Sequence, residues 1–439
     1  MISIFRIRLS VVTVAMHLLF LSCLLATGCR PPQLPILGKD VNVIQYDTAY
    51  EEQLRSGQPL RFGLDGMERY VDSLAEPVAV SEWSADHCKW DFFVATNRGC
   101  LESTTDPLAA NRVLNQAQYG RCQVILPRND IGLRMIEEEQ RQKTQVEFVS
   151  HRTGQQNVSG TPPAPRPVTR QVSAAPLSRS SFLEGISEQV QRSREKDVLI
   201  FVHGFNVSFD DALAGTAQLA LNIPFNGAIV SYCWPTQGGV LNYRVDEPIN
   251  QASVAPFTEF LLTMREAVPN ARLHIIVHSM GNRIVMQSLS QLHQAGTSKL
   301  LGHVVLCAPD VGAEDFLKWA PGVVEVSEHV TLYANAGDRA LIVSKGLHSE
   351  QRAGDALAPI IVAGVDTIDC SRIESGLLGH SYFSDNDDVA SDIFLLVKDR
   401  RPPTQRHHLT LQRTSSGQYW QFAKHAPNMM CTWHFKHLQ

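Results

Sequence analysis

The stretch Ile275-Ile276-Val277-His278-Ser279-Met280-Gly281-Asn282 sets a serine at the end of an apolar run and two residues before a glycine. The run over 273–277 suits a buried parallel strand, whose two covered faces remove the need for polar alternation. Beyond it, Ile284, Val285, Leu289 and Leu292 recur at close to helical spacing and predict a helix over 282–293. Ser279 then occupies a strand-to-helix turn. Such a turn exposes the hydroxyl and aims the following backbone N–H groups at the same point, the arrangement of a nucleophile elbow. Gly281 lacks a Cβ and lets strand and helix pack closely. Val277 stands where the first glycine of G-x-S-x-G is usual. The competing reading is a plain helix start capped by Ser279.

Outward from this stretch the chain alternates strands and helices. Strands are expected at Val198–Val202, Ala228–Trp234, Leu273–Val277, His303–Ala308 and His329–Ala334. Helices are expected at Phe182–Arg194, Phe209–Leu221, Ala252–Ala267, Gly281–Gln294 and Ala313–Trp319. That alternation predicts an α/β fold: a mostly parallel sheet with helices on both faces and a site at the carboxyl ends of the strands. Residues 182–400 form this domain. Residues 30–150 form an N-terminal extension with strands near 90–97 and 122–126 and a short helix at Met135–Gln142. Residues 151–181, with Thr161-Pro162-Pro163-Ala164-Pro165, read as a linker or exposed loop, and 401–439 is an unassigned polar tail.

Four segments at strand ends carry the candidate chemistry. His203-Gly204-Phe205-Asn206 follows the first strand of the domain, and Gly204 allows the turn to point N–H groups inward. The N–H groups of Phe205 and Met280 are the expected oxyanion donors for acyl transfer. Ser279 is the candidate nucleophile, which needs a base beside it. Asp338, in Asn335-Ala336-Gly337-Asp338, is the preferred acid, with Asp310 in Ala308-Pro309-Asp310 the competitor. Either aspartate also fits a helix N-cap or a turn. Of the 16 histidines, His380 in Gly379-His380-Ser381-Tyr382 follows the acid in a loop and is the expected base. His348 lies ten positions past Asp338 in a helical-looking segment. The order Ser279, Asp338, His380 is that of α/β-hydrolases and differs from the two protease orders. His278 is expected beside the site rather than in the chemistry. Trp234, Tyr243 and Phe316 either line a pocket or belong to the core.

Residues 198–400 resemble the α/β-hydrolase superfamily. More closely, they resemble an uncharacterised bacterial family of exported or membrane-linked hydrolases with H-G-F-N, W-P, H-S-M-G and a late G-H-S-Y. The chain carries these as His203–Asn206, Trp234-Pro235, His278–Gly281 and Gly379–Tyr382, with Ala308-Pro309-Asp310 between. Phe93–Arg98 and Tyr119–Arg128 extend the likeness toward residue 90. The resemblance implies an esterase- or lipase-like enzyme with no metal or organic cofactor, and it names no substrate beyond a small-molecule or lipid ester.

The first 29 residues read as a targeting signal. Arg6 and Arg8 precede an apolar stretch over 9–25, and Ala26-Thr27-Gly28 precedes Cys29. This resembles the lipobox of bacterial lipoproteins, which implies export, lipid attachment at Cys29 and a membrane-anchored place in the cell envelope. The 439 residues hold 44% hydrophobic and 19% charged side chains, ordinary for a large globular fold. A net charge of −5 without a basic block argues against a nucleic-acid partner. Setting aside Cys23 and Cys29, Cys233 and Cys307 fall in strand-like runs as buried hydrophobes. Cys88, Cys100 and Cys122 lie close enough in sequence for a disulfide among them. Nothing has C-x-x-C or zinc-ligand spacing.

Overall fold

The run that ends in Ser279 is the middle of a large sheet. A computed structural model describes residues 78–83, 87–101, 112–127, 171–194, 196–223, 225–239, 242–373, 387–406 and 408–423. The signal with Cys29, the helix expected at 135–142 and the 379–382 loop lie outside these residues. The described strands are β1 (Val80–Trp83), β2 (His87–Arg98), β3 (Val113–Pro127), β4 (Gln171–Leu177), β5 (Asp197–Val202), β6 (Ala228–Cys233), β7 (Arg272–His278), β8 (Leu301–Cys307), β9 (Ser327–Ala334), β10 (Val365–Asp369), β11 (Leu409–Thr414) and β12 (Gly417–Phe422). They form one sheet in the order β11-β12-β10-β9-β8-β7-β5-β6-β2-β3-β4, with β1 also on β2. The eight strands from β12 to β2 pair in parallel. The outer pairs β2–β3, β3–β4 and β11–β12 are antiparallel.

Helices cover both faces: α1 (Arg179–Arg192), α2 (Phe209–Asn222), α3 (Tyr243–Ala252), α4 (Val254–Ala267), α5 (Gly281–Gln294), α6 (Ala313–Val326), α7 (Arg339–His348) and α8 (Asp387–Asp399). Successive strand residues point to opposite faces, and β5 shows the consequence. Leu199 and Phe201 join a core with α2 and α8, built on Leu213, Ala217, Ile393 and Phe394. Val198, Ile200 and Val202 join a second core with α1, α4, α5 and α6, built on Phe182, Phe257, Ile284, Leu289 and Phe316. Every residue of β5, β6 and β8 is buried, which explains their unbroken apolar runs.

The chain runs from β5 outward to β6, then returns to the other side of β5 to enter β7. This reversal of strand order opens a crevice at the carboxyl ends of β5 and β7, where the His203–Asn206 and Ser279 segments emerge.

Three expectations need correction. Residues 171–177, placed in the linker, form the edge strand β4, and α1 begins at Arg179 rather than at 182. The polar tail is partly structured: β11 and β12 make a hairpin whose second strand extends the sheet beside β10. No disulfide joins Cys88, Cys100 and Cys122; all three are thiols. The β2–β3 register sets Cys88 opposite Leu126 and Cys122 opposite Phe92. Four residues of strand rise, about 13 Å, separate those levels, well beyond disulfide reach.

Candidate functional site

Ser279 sits between the end of β7 and the start of α5 with φ 51°, a left-handed conformation that a side-chain-bearing residue rarely adopts. Asn206 after β5 (φ 57°) and Ala308 after β8 (φ 45°) share it. Backbone strain thus gathers at the carboxyl edge of three neighbouring strands, and it persists because surrounding bonds over-determine it. The Ser279 N–H donates to the Cys307 carbonyl at 3.0 Å. The Ser279 carbonyl accepts from the Asn282 N–H at 3.1 Å, the Asp310 N–H at 3.2 Å and the Asn282 side-chain amide at 2.8 Å. Asn282 also reaches the Cys307 carbonyl at 3.3 Å. A sequence reading of the helix face passes over Asn282, although its place three residues after the serine is that of a turn-locking amide.

Two glycines make the approach possible. A Cβ on Gly281 would meet the His203 carbonyl oxygen at 2.5 Å. A Cβ on Gly204 would meet the Ser279 Cβ at 2.8 Å and His278 Nδ1 at 2.9 Å. The 203–206 loop therefore lies directly against the serine. The Asn282 and Arg283 N–H groups donate to the Ser279 and Met280 carbonyls, whereas the Met280 and Gly281 N–H groups lie ahead of the intrahelical ladder. Together with the positive end of the helix dipole they favour negative charge at the turn.

The loop is held from below. The Trp234 indole donates to the His203 carbonyl at 2.9 Å, and the two rings stack with centroids 5.5 Å apart. The His203 Nδ1 lies 2.9 Å from the Gly204 carbonyl, which can only accept, fixing the Nδ1–H tautomer. Burial drives this imidazole down to about 4, so it is neutral near pH 7. Asn206 accepts from the Gly239 N–H through its side chain. Phe205 packs edge-on against Tyr243 at 5.2 Å. Asn250 donates to the Met280 carbonyl at 3.1 Å. Trp234 and Phe316 are fully buried core aromatics; Tyr243 is the one of the three that stands at the site.

The two candidate acids are in different situations. Asp310 is buried, and its carboxylate accepts from Arg352 at 2.7 Å, Ser344 at 2.6 Å, Arg283 at 3.3 Å and the Tyr243 hydroxyl. Its carbonyl accepts from Arg283 Nε at 2.7 Å. Burial alone would raise its pKa, but the two guanidiniums outweigh burial and hold it at about 2. Arg283 continues to Glu247 at 2.9 Å, and Glu247 to His348 at 2.7 Å. Asp338 follows β9, two strands from β7, about 10 Å across the sheet. It is buried and caps α7, one carboxylate oxygen accepting from the Leu341 N–H at 3.0 Å. His380 lies outside the described residues. The last described strand before it in sequence, β10, ends at Asp369 and runs parallel to the strands around β7. The structure thus groups Ser279, Met280, Gly281, His203, Gly204, Phe205, Asn206, Trp234, His278 and Asp310 around one turn. Arg283, Arg352, Glu247 and Ser344 also stand there. Their partners lie 27 to 101 positions away in sequence, so no local pattern announces them.

Residues 178–400, about half of the chain, match the family described as alpha/beta hydrolases of unknown function (DUF900), and the chain belongs to that family. An uncharacterized protein of Nostoc sp. (strain PCC 7120) is 26% identical over 128 residues, covering 24% of this chain. The match spans 33% of that relative's length.

Proposed function

Proceeding from membership in an alpha/beta-hydrolase family, we propose that the protein is a serine hydrolase cleaving carboxylic esters through an acyl-enzyme. Ser279 attacks the ester carbonyl while the His380 imidazole takes its proton, and Asp338 orients that imidazole and stabilises its charged form. The Phe205 and Met280 N–H groups receive the oxyanion, each donor contributing about 3–4 kcal/mol to the barrier reduction. His380 then protonates the departing alcohol. Water, deprotonated by the same imidazole, releases the acid and restores the Ser279 hydroxyl.

The observation that carries this reading is the strained backbone of Ser279 with Gly204 packed against it. A serine that merely caps a helix has no need of a left-handed φ or of a second loop laid against its side chain. The saturated carboxylate of Asp310 favours Asp338 as the acid, since two arginines, a serine and a tyrosine already use its lone pairs. Export and lipid attachment at Cys29 belong to the same proposal. Cys29→Ser should release the protein from the membrane fraction.

The test is hydrolysis of p-nitrophenyl esters of graded acyl length. The intact protein should show a burst of p-nitrophenol followed by slower turnover, and Ser279→Ala and His380→Ala should each abolish it. Full activity in His380→Ala removes that residue as base. No hydrolysis by the folded wild-type protein favours a binding role on a hydrolase scaffold, and product formation only with an added alcohol favours acyl transfer.

A further inference from the structure

We propose that α3 and α7 together present a docking face for an anionic lipid surface, at the mouth of the Ser279 site. Among the described residues, four of the seven most exposed large apolar side chains belong to these two helices. They are Val245 at 51% exposure, Ile342 at 51%, Val343 at 50% and Leu347 at 41%. The helices are joined: Arg244 donates to the Leu347 carbonyl at 3.2 Å, Tyr243 and Ser344 share a hydrogen bond of 2.9 Å, and His348 meets Glu247. On α7, Leu341 and Ser344 turn inward, so Ile342, Val343 and Leu347 fall on the opposite arc. A surface helix of a water-facing fold normally carries polar side chains there.

Charge on this face has one sign. Arg244 and Arg339 are exposed, and Lys345 is half-exposed beside Asp355 at 3.0 Å. The carboxylates of these helices are turned away. Asp246 is buried and accepts from the Gln237 N–H, Glu247 is held by Arg283 and His348, and Asp338 is buried as the cap of α7. A chain of net charge −5 thus carries a local basic and apolar face. Aliphatic side chains interleaved with arginines suit the interface of an anionic bilayer, where the apolar groups enter and the guanidiniums meet phosphate. The inner side of the same two helices reaches the site, since Tyr243 and Ser344 bind Asp310, whose N–H is bonded to the Ser279 carbonyl. An ester delivered from a membrane would arrive beside the serine.

The experiment reads contact rather than turnover, so it stands or falls separately from the hydrolase reading. Leu347→Cys, and Leu317→Cys on α6 as a control with 52% exposure at that leucine, each receive a polarity-sensitive fluorophore in the full chain carrying Cys29→Ser, so that no acyl anchor sets the vesicle affinity. The signal of the equally treated parent is subtracted. With phosphatidylcholine vesicles containing phosphatidylglycerol, the label on Leu347→Cys should brighten and shift to the blue while that on Leu317→Cys does not. Adding Arg244→Gln and Arg339→Gln should raise the vesicle concentration for half response by about 30-fold. Equal responses at the two labels, or no response at Leu347→Cys, overturn the proposal. So does a response that follows protein concentration without vesicles, which would mean that a second copy covers the face.

Discussion

At the residue scale, the conformation of Ser279 inverts an ordinary ranking. A left-handed backbone costs a side-chain-bearing residue about 1–2 kcal/mol, more than the 0.5–1 kcal/mol that glycine's freedom in the unfolded chain usually costs. Ser279→Gly should therefore melt higher than Ser279→Ala, by about 0.5–1 kcal/mol in stability, with both inactive. Thermal melts of the two variants check this, and the reverse order would show that the turn is not strained. Asp310 is the other decisive residue. Its folded pKa lies below the ordinary 3.8, at about 2. The stability it contributes is present above the unfolded value and is lost as pH falls from about 4 toward about 2. Asp310→Asn should flatten that part of the acid-unfolding curve. Near neutral pH it should cost about 3 kcal/mol, because Arg352 and Arg283 then lose their buried counter-charge. Denaturant titrations of both proteins at each pH measure the two effects.

At the scale of elements, Asp338 has two duties that substitutions can separate. Asparagine caps a helix as well as aspartate does, whereas alanine costs about 1 kcal/mol. Asp338→Asn should keep the stability of α7 within a few tenths of a kcal/mol yet lower ester turnover by about 10⁴, as loss of a triad acid does. If turnover survives in Asp338→Asn and falls only in step with stability in Asp338→Ala, the residue is a cap and nothing more. The elements that the sequence pattern reveals are those whose environment is uniform. Strands β5 to β8 and the last five residues of β9 are almost wholly buried and read as apolar runs. Strands β4, β11 and β12 lie near the sheet edges and bury little; β11 and β12 are largely polar, β4 is mostly exposed, and no apolar run bounded by turns marks them. The five-residue β10 is too short to show a period. Helix α7 shows in the sequence only as a helical-looking segment around His348, without bounds, because its outward arc is apolar and blurs the usual amphipathic signal.

At the scale of the whole molecule, a ladder of histidines crosses the sheet. His274 on β7, His303 on β8 and His329 on β9 stack with centroids 5.3 and 5.0 Å apart. His303, in the middle, is buried, and its ring nitrogens have no hydrogen-bond partner among the described residues. Burial first, then the neighbouring His274, His329, Arg272 and Arg406, push its pKa down to about 3. An imidazole that charges more readily when unfolded stabilises the fold fully above about 6.5, and this stability is lost as pH falls toward 3. His303→Phe keeps the stack and should remove about 2 kcal/mol of the stability lost by about pH 5. Melting temperatures across that range decide it. The architecture around β5 to β9 and the serine turn were legible because they are local in sequence. The Asp310 network and the hairpin that completes the sheet depend on contacts between distant segments, and so were not. The claim on which the functional account rests is that Ser279 is an activated nucleophile. Mass mapping of the protein after treatment with a fluorophosphonate tests it directly. One phosphonyl adduct on the peptide containing Ser279, absent from Ser279→Ala, is the predicted result; a folded wild-type protein that takes up no adduct, or an adduct that persists in Ser279→Ala, would contradict it.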